Sequence, residues 1–313
     1  MSGSYTQINY GLRPAKHIER KMLCEAFRRL SEFGSLESYQ YVGFGSIYFT
    51  DFILFHKMLG LTNLHSIEKD SYNAHRFSFN SPFKCIQLHF GESNVELPKL
   101  NWNVRSIIWL DYDDPLDGKM LTDISLITAQ CLQGSVLIVS TNAQPERFDS
   151  NPLDILKDRL GKNNIPTELK AEDIHGWGTA ALYRRIITNQ IEETLTRRNG
   201  GLPAGSRMCY KQVFNFNYAD SSKMLTVGGL FYDEGQSAIV AKCNFDSLPF
   251  VKGHDSPFRI EVPYLTMREI RHLDKQLPNN KVEELITQGV PPSDIEKYSR
   301  FYRHFPAFGE VEL

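Results

Sequence analysis

Residues 39–70 read YQYVGFGSIYFTDFILFHKMLGLTNLHSIEKD, and this stretch decides the fold. Tyr39 to Val42 is a short strand pattern that runs into Gly43-Phe44-Gly45-Ser46. Two glycines without Cβ let the backbone turn sharply and approach a ligand closely. Tyr48, Phe49, Phe52, Ile53, Phe55, His56 and Leu59 then recur at helical spacing, and Gly60 suits a left-handed C-cap. Leu64 to Ile67 is a second strand, closed by Glu68-Lys69-Asp70. A strand, a glycine loop, a helix and a second strand ending in an acid form a parallel α/β unit. In such a unit the free N–H groups of the helix start and the acid face one nucleoside.

The pattern continues outward. Lys84–Phe90, Ser106–Leu110 and Gly134–Ser140 are three more strand runs, the last two apolar enough to be buried on both faces. Helical segments fit between the strands, so the sheet is expected to be parallel with right-handed crossovers. Residues 151–205 are helical and polar, too long for a plain connection, and are expected to hold an insertion. Met208–Tyr218 and Lys223–Tyr232, joined by Ala219-Asp220-Ser221-Ser222, read as an antiparallel hairpin. At the C-terminal end, Thr266-x-x-Glu269 and Ser293-x-x-Glu296 both have the form of capping boxes. The expected architecture is a doubly wound α/β sheet of about seven strands, mostly parallel, with a C-terminal antiparallel hairpin. The expected division is a helical segment at 1–35, a cofactor domain at 36–240 with its insertion at 151–205, and a helical extension at 241–313.

Bulk composition narrows the function. Hydrophobic residues make up 41% and charged residues 23%, which suits a packed core, and the net charge of −2 argues against bulk nucleic-acid binding. Five scattered cysteines, Cys24, Cys85, Cys131, Cys209 and Cys243, form no C-x-x-C, so reduced thiols in a cytoplasmic protein are expected. The opening residues show no apolar leader, and no run approaches the roughly 18 apolar residues of a membrane span. After Pro14, a helix through Ile18, Met22, Leu23, Ala26, Phe27 and Leu30 carries Lys16, Arg20, Lys21, Arg28 and Arg29 on its other face. That face is expected to be solvated, with a phosphate-bearing partner as the alternative. The aromatics Tyr298, Phe301 and Tyr302 are expected to pack on the domain.

In an open parallel sheet the ligand lies at the carboxyl ends of the strands. Here those ends are Gly43–Ser46, Glu68–Asp70, Gly91–Ser93, Asp111–Asp114 and Thr141–Asn142. Glu68, at the end of the second strand, is placed to accept hydrogen bonds from ribose hydroxyls. Glu92 or Ser93 can meet an adenine amine, and Asp111 stands at the centre of the rim. A dinucleotide site would carry a third glycine where this chain has Tyr48, which argues against NAD or FAD. His65, His75 and His89 lack metal-ligand spacing, and no metal is expected at Asp111, Asp113 and Asp114.

These pieces resemble the class I S-adenosylmethionine-dependent methyltransferases. The carriers are VGFGS (42–46), SIEKD (66–70), GES (91–93), LDYDDPL (110–116) and the terminal hairpin, over residues 36–235. The chain is also similar to bacterial O-methyltransferase-like proteins. The resemblance implies a Rossmann-like sheet of five parallel strands followed by an antiparallel pair, with S-adenosylmethionine as cofactor. It implies that Gly43, Phe44, Gly45 and Ser46 cradle the methionine part, that Glu68 with Lys69 holds the ribose, and that Glu92 or Ser93 lies near adenine. It further implies that Asp111, Tyr112 and Asp113 face the methyl group and its acceptor. In this reading Asp111 or Asp113 orients or deprotonates the acceptor and Tyr112 closes over the site. The fourth motif is not of the N-P-P-Y type, which argues against base-amine methylation. The expected function is methyl transfer to an acceptor that no motif identifies. The alternatives are a catalytically silent methyltransferase-like binding module and a nucleic-acid-modifying enzyme.

Overall fold

The computed structural model describes residues 13–145, 151–253 and 255–307, so residues 1–12, read above for an apolar leader, lie outside it. In chain order the elements are α1 (Pro14–Phe27), β1 (Gln40–Gly43), α2 (Thr50–Leu59), β2 (Asn63–Glu68), α3 (Ala74–Asn80), β3 (Ile86–Phe90), α4 (Ser93–Glu96), β4 (Ser106–Pro115), α5 (Gly118–Gln130) and β5 (Val136–Asn142). They continue with α6 (Pro152–Leu160), α7 (Gly178–Arg198), β6 (Met208–Ala219), β7 (Lys223–Asp233), α8 (Ser237–Cys243), β8 (Phe258–Ile260), α9 (Met267–Asp274) and α10 (Pro292–Phe301).

The strands form one eight-stranded sheet in the order β3-β2-β1-β4-β5-β7-β6-β8. β1 to β5 pair in parallel, β7 runs antiparallel to both neighbours, and β8 adds in parallel to the outer edge of β6. The expected Rossmann-like α/β sheet with its terminal hairpin is therefore present, with one strand more than the seven expected. The extra strand, β8, is three residues long and lies in the stretch expected to be helical. It aligns Phe216 with Phe258 and Tyr218 with Ile260.

Side chains alternate across the sheet with period two. Tyr41, Trp109 and Ile138 face the layer built from α1, α2 and α8, beside Phe27, Phe52, Phe55 and Phe214. Val42, Ile108, Leu110, Leu137 and Val139 face the other layer, beside Leu121, Ile124, Ile187 and Ile191 of α5 and α7. Both faces of β4 and β5 are thus covered, which explains why their sequences are apolar without alternation. Pro14 opens α1 and Gly60 caps α2 in the left-handed region. Thr266 and Glu269 form the expected capping box. The box expected at Ser293 is absent, because α10 begins at Pro292 with Pro291 as its N-cap, two residues before the expected cap, so Ser293 lies inside the first turn. A smaller cluster of Leu273, Leu285, Val290, Ile295 and Tyr298 holds the C-terminal helices together. The five cysteines are unpaired, and among the described residues no helix is long and apolar enough to cross a membrane.

One correction concerns α1. Its cationic face is not solvated: Lys16 and Arg20 are buried, as is Glu19, while Arg28 is exposed. The helix packs on α2 and β6, so that face turns toward the carboxyl edge of the sheet.

Gly228 and Gly229 sit where β7 passes between β5 and the irregular register of β6 at Gln212 and Phe214. A Cβ on Gly229 would meet the Lys211 carbonyl oxygen at 2.1 Å. Backbone cannot retreat as a side-chain tip can, so Gly229→Ala is expected to lower the unfolding free energy by about 1–3 kcal/mol. Chemical denaturation of the two chains measures this.

Candidate active site

The carboxyl ends of β1, β2, β3, β4 and β5 share one edge, because these strands are parallel. The glycine loop leaves β1 there. Ser46 and Phe49 both have positive φ, at 52° and 46°, a cost that a tight turn between strand and helix imposes on non-glycine residues. Gly45 allows the closest approach: a Cβ would stand 2.6 Å from Ser66 Oγ and 2.7 Å from the Phe49 ring. The Gly45 N–H donates to Ser66 Oγ (3.0 Å), and Ser66 Oγ donates to Glu68 Oε1 (2.6 Å). The loop is thereby tied to the end of β2.

Glu68 is 6% exposed and is turned toward the loop. Burial pushes its carboxyl up to about 7, against the Ser66 hydroxyl and the Gly45 and Ser46 amides, which favour the ionised form. Lys69, next along the chain, is exposed and pairs with Glu92 at 3.1 Å. Ser46 Oγ is buried with no hydrogen-bond partner among the described residues. A buried hydroxyl left unmatched on a glycine loop is suited to a polar group of a bound ligand.

A second network ties β3 to β4. Asp123, buried on α5, accepts hydrogen bonds from Ser93 Oγ and from Tyr112 Oη, the latter at 2.7 Å. Burial raises the Asp123 carboxyl, and the two hydroxyls oppose that shift. Tyr112 is thus held by α5, with its ring edge-to-face against Phe44 at 5.1 Å. It stands beside the glycine loop. Asp123 had no signal in the sequence, since one acid inside an amphipathic helix resembles any other.

The third network is the deepest. Lys16 is 0% exposed, and its Nζ donates to Asp111 Oδ1 (2.7 Å) and to Tyr218 Oη (3.1 Å). It also lies 2.7 Å from Glu19 Oε2, outside hydrogen-bond geometry, and 4.3 Å above the centre of the Trp109 ring. Burial raises the Glu19 carboxyl, which favours its neutral form, while Lys16 pulls it the other way. Beside this cluster, Tyr41 Oη donates to the buried Asp51, whose carboxyl is pushed up by burial and pulled down by the charge of Arg20. The Trp109 N–H donates to Ser140 Oγ (2.9 Å), which lies 2.6 Å from Thr226 Oγ1.

Asp111 alone of the β4 acids joins this buried network. The expected loop at Asp111–Asp114 is strand: β4 runs on to Pro115, with a register irregularity after Asp111. Past that irregularity Asp113 is exposed. The structure therefore gathers Gly43, Phe44, Gly45, Ser46, Glu68, Ser93, Asp111 and Tyr112 along one rim, with Lys69 and Glu92 as an exposed pair at its edge. Lys16, Glu19 and Asp123 are additions that sequence spacing did not point to.

Two outcomes follow. Replacing Lys16 with methionine leaves buried acids without their cation, so Lys16→Met is expected to lose about 3–5 kcal/mol in denaturation. For Glu68, the folded pKa lies above the unfolded one, so the folded state holds the extra proton between the two values and loses stability as pH rises through that window. At about 1.4 kcal/mol per pKa unit, wild type is expected to fall by about 3 kcal/mol relative to Glu68→Gln between pH 4.5 and 7. Parallel denaturation curves across that range decide it.

No curated protein matches the chain. Among solved structures it is similar to Trm1 from Pyrococcus horikoshii in complex with S-adenosyl-L-methionine, at 7% identity and a TM-score of 0.45, over 71% of this chain and 57% of that one. It is also similar to the O-methyltransferase TomG from Streptomyces achromogenes in complex with SAM, at 12% identity and 0.38, over 73% and 93%. A third is TYW2 of M. jannaschii in complex with AdoMet, at 15% identity and 0.38, over 73% and 80%. The chain thus spans 57% of the length of the Trm1 chain. The sequence pattern of the family described as "Putative O-methyltransferase" matches residues 8–313. The glycine loop and strand order resemble those of the class I S-adenosylmethionine-dependent methyltransferases, and with nearly its whole length matched, the chain belongs to the "Putative O-methyltransferase" family.

Proposed function

We propose that the chain methylates an oxygen of a small acceptor, with Asp111 receiving the acceptor's proton. The observation that carries this reading is the pairing of Asp111 with a fully buried ammonium. Asp111 Oδ1 is held by Lys16, and its other oxygen has no hydrogen bond among the described residues. A carboxylate fixed through one oxygen presents the second in a defined direction, as a general base requires. Its side chain is 19% exposed, so an acceptor can reach it.

The residues present fit S-adenosylmethionine. Ser46 Oγ offers an unmatched buried hydroxyl, the glycine loop offers backbone, Glu68 ends β2, and Ser93 opens α4 just after β3. In this reading the loop holds the methionine part, Glu68 accepts from ribose hydroxyls after re-aiming from Ser66, and Ser93 lies beside adenine. When bound, the cofactor supplies a methyl carbon on a positively charged sulfur, which an acceptor oxygen takes as it gives up its proton. Little chemistry is then left to the protein beyond alignment, exclusion of water and custody of that proton. Phe44 and Tyr112 form the apolar wall that serves the second task.

The burial of Lys16 and Arg20 removes two cations from the face that would support nucleic-acid modification. The silent-module alternative is separated by turnover. With a small-molecule cell extract as acceptor source, Asp111→Asn is expected to lower S-adenosylhomocysteine formation by about 10²–10⁴-fold while leaving S-adenosylmethionine affinity within about twofold. Gly45→Val, which drives a branched side chain into Ser66 and Phe49, is expected to weaken that affinity by about tenfold or more. Calorimetry and product analysis give both. A wild-type chain that binds the cofactor and releases no product would make it a binding module.

A further inference from the structure

A cavity of about 650 Å³ opens beside the rim, at the carboxyl ends of β6 and β8. These strands run parallel to β1 and β4, so it lies on the same edge of the sheet as Asp111. Its lining includes Arg13, Trp177, Tyr218, Arg259, Glu261 and Tyr264. Tyr218 connects it to the reaction centre, because its hydroxyl accepts from the same Lys16 Nζ that holds Asp111.

The chemistry of the lining is specific. Trp177 is a part-exposed indole, and Tyr264 is 90% exposed, a large aromatic surface left in water at a cavity wall. The Arg259 guanidinium and the Lys223 ammonium each lie 5.8 Å from the centre of the Trp177 ring. Neither cation has an ion pair among the described residues. Arg13 is different, being neutralised by Asp220 at 3.1 Å. In the lining Arg259 stands against Glu261, the lining acid without a pair among the described residues, and Lys223 adds a second cation beside the lining at Trp177. Two aromatic rings in the lining, with Arg259 in the lining and Lys223 next to it at Trp177, favour a ligand that is flat, aromatic and negatively charged.

Resting on the proposed methyl transfer, we infer that this cavity is the acceptor site and that the acceptor is an aromatic hydroxyl compound bearing an anionic group. The ring lies against Trp177 and Tyr264. The carboxylate or phosphate is held by Arg259 and Lys223. The hydroxyl end points past Tyr218 toward Asp111. On reaction the acceptor oxygen gains the methyl, its O–H proton passes to Asp111, and S-adenosylhomocysteine leaves with the sulfur lone pair restored.

The test is calorimetric titration of the full chain with four probes: 3,4-dihydroxybenzoate, phenyl phosphate, neutral catechol and cationic dopamine. Both anions are expected to bind saturably, at least about tenfold more tightly than catechol or dopamine, a difference of about 1.4 kcal/mol. Whichever anion binds better names the acidic group, and either result supports the site. Arg259→Ala combined with Lys223→Ala, both near the surface, is expected to abolish the preference for anions, and Trp177→Phe to retain more binding than Trp177→Leu. S-adenosylmethionine is titrated in parallel against every variant. Equal affinity for anion and catechol, no saturable binding of either anion, or a preference that survives the double substitution overturns the inference even if the cofactor binds normally. A chain that binds the anions but not the cofactor keeps this pocket and overturns the proposed function.

Discussion

The ammonium of Lys16 is the interaction on which the site depends. It is fully buried, and everything around it answers to its charge: Asp111 and Tyr218 accept from it, Glu19 lies alongside, and the Trp109 face lies beneath it. A cation taken out of water is tolerated only where such partners compensate its lost hydration. These partners come from α1, β4 and β6, so the helix that precedes the sheet in sequence has to dock before Asp111 is aimed. Stability and reactivity are linked here through one side chain.

Around that point, side chains stitch the rim together across strands. Ser66 joins the glycine loop to β2 and Glu68, and Asp123 joins Ser93 after β3 to Tyr112 on β4. The acids are sorted by environment. Glu68, Asp123, Asp51 and Glu19 are all pushed up by burial, whereas Asp111 stays partly open beside its cation. Pre-set donors and acceptors of this kind need no rearrangement when charge develops nearby.

The parts of the fold legible in the sequence were those governed by local period. The alternation at Tyr41 and Val42, the apolar runs of β4 and β5, the Gly60 cap and the β6–β7 hairpin depend on residues close in sequence. β8 was not legible, because three residues among prolines carry too little pattern, and a strand that short is made by the edge it pairs with. The extension of β4 was hidden for the opposite reason. Asp111 to Asp114 has the composition of a loop, yet pairing with β5 keeps it extended. Ser293 failed as a cap because Pro292 starts α10 two residues sooner than a Ser293 cap would.

For the site, the sequence by itself determined which residues stand at or just past the carboxyl ends of β1, β2 and β3: Gly43 to Ser46, Glu68 and Ser93 follow from strand lengths and the parallel order, whereas Asp111 falls inside the longer β4. Tertiary structure decided what each of them faces. The cationic face of α1 reads as a solvated stripe because a helix sequence reports only its own amphipathicity. Its burial was set by β4 and β6, more than ninety residues away, whose acid and phenol meet Lys16. The cavity at Trp177, Arg259 and Tyr264 is of the same kind, since α7, β8 and the residues after it meet only when the sheet is complete. Local pattern follows from backbone geometry within a few residues. The compensation of a buried charge depends on groups brought together from distant parts of the chain.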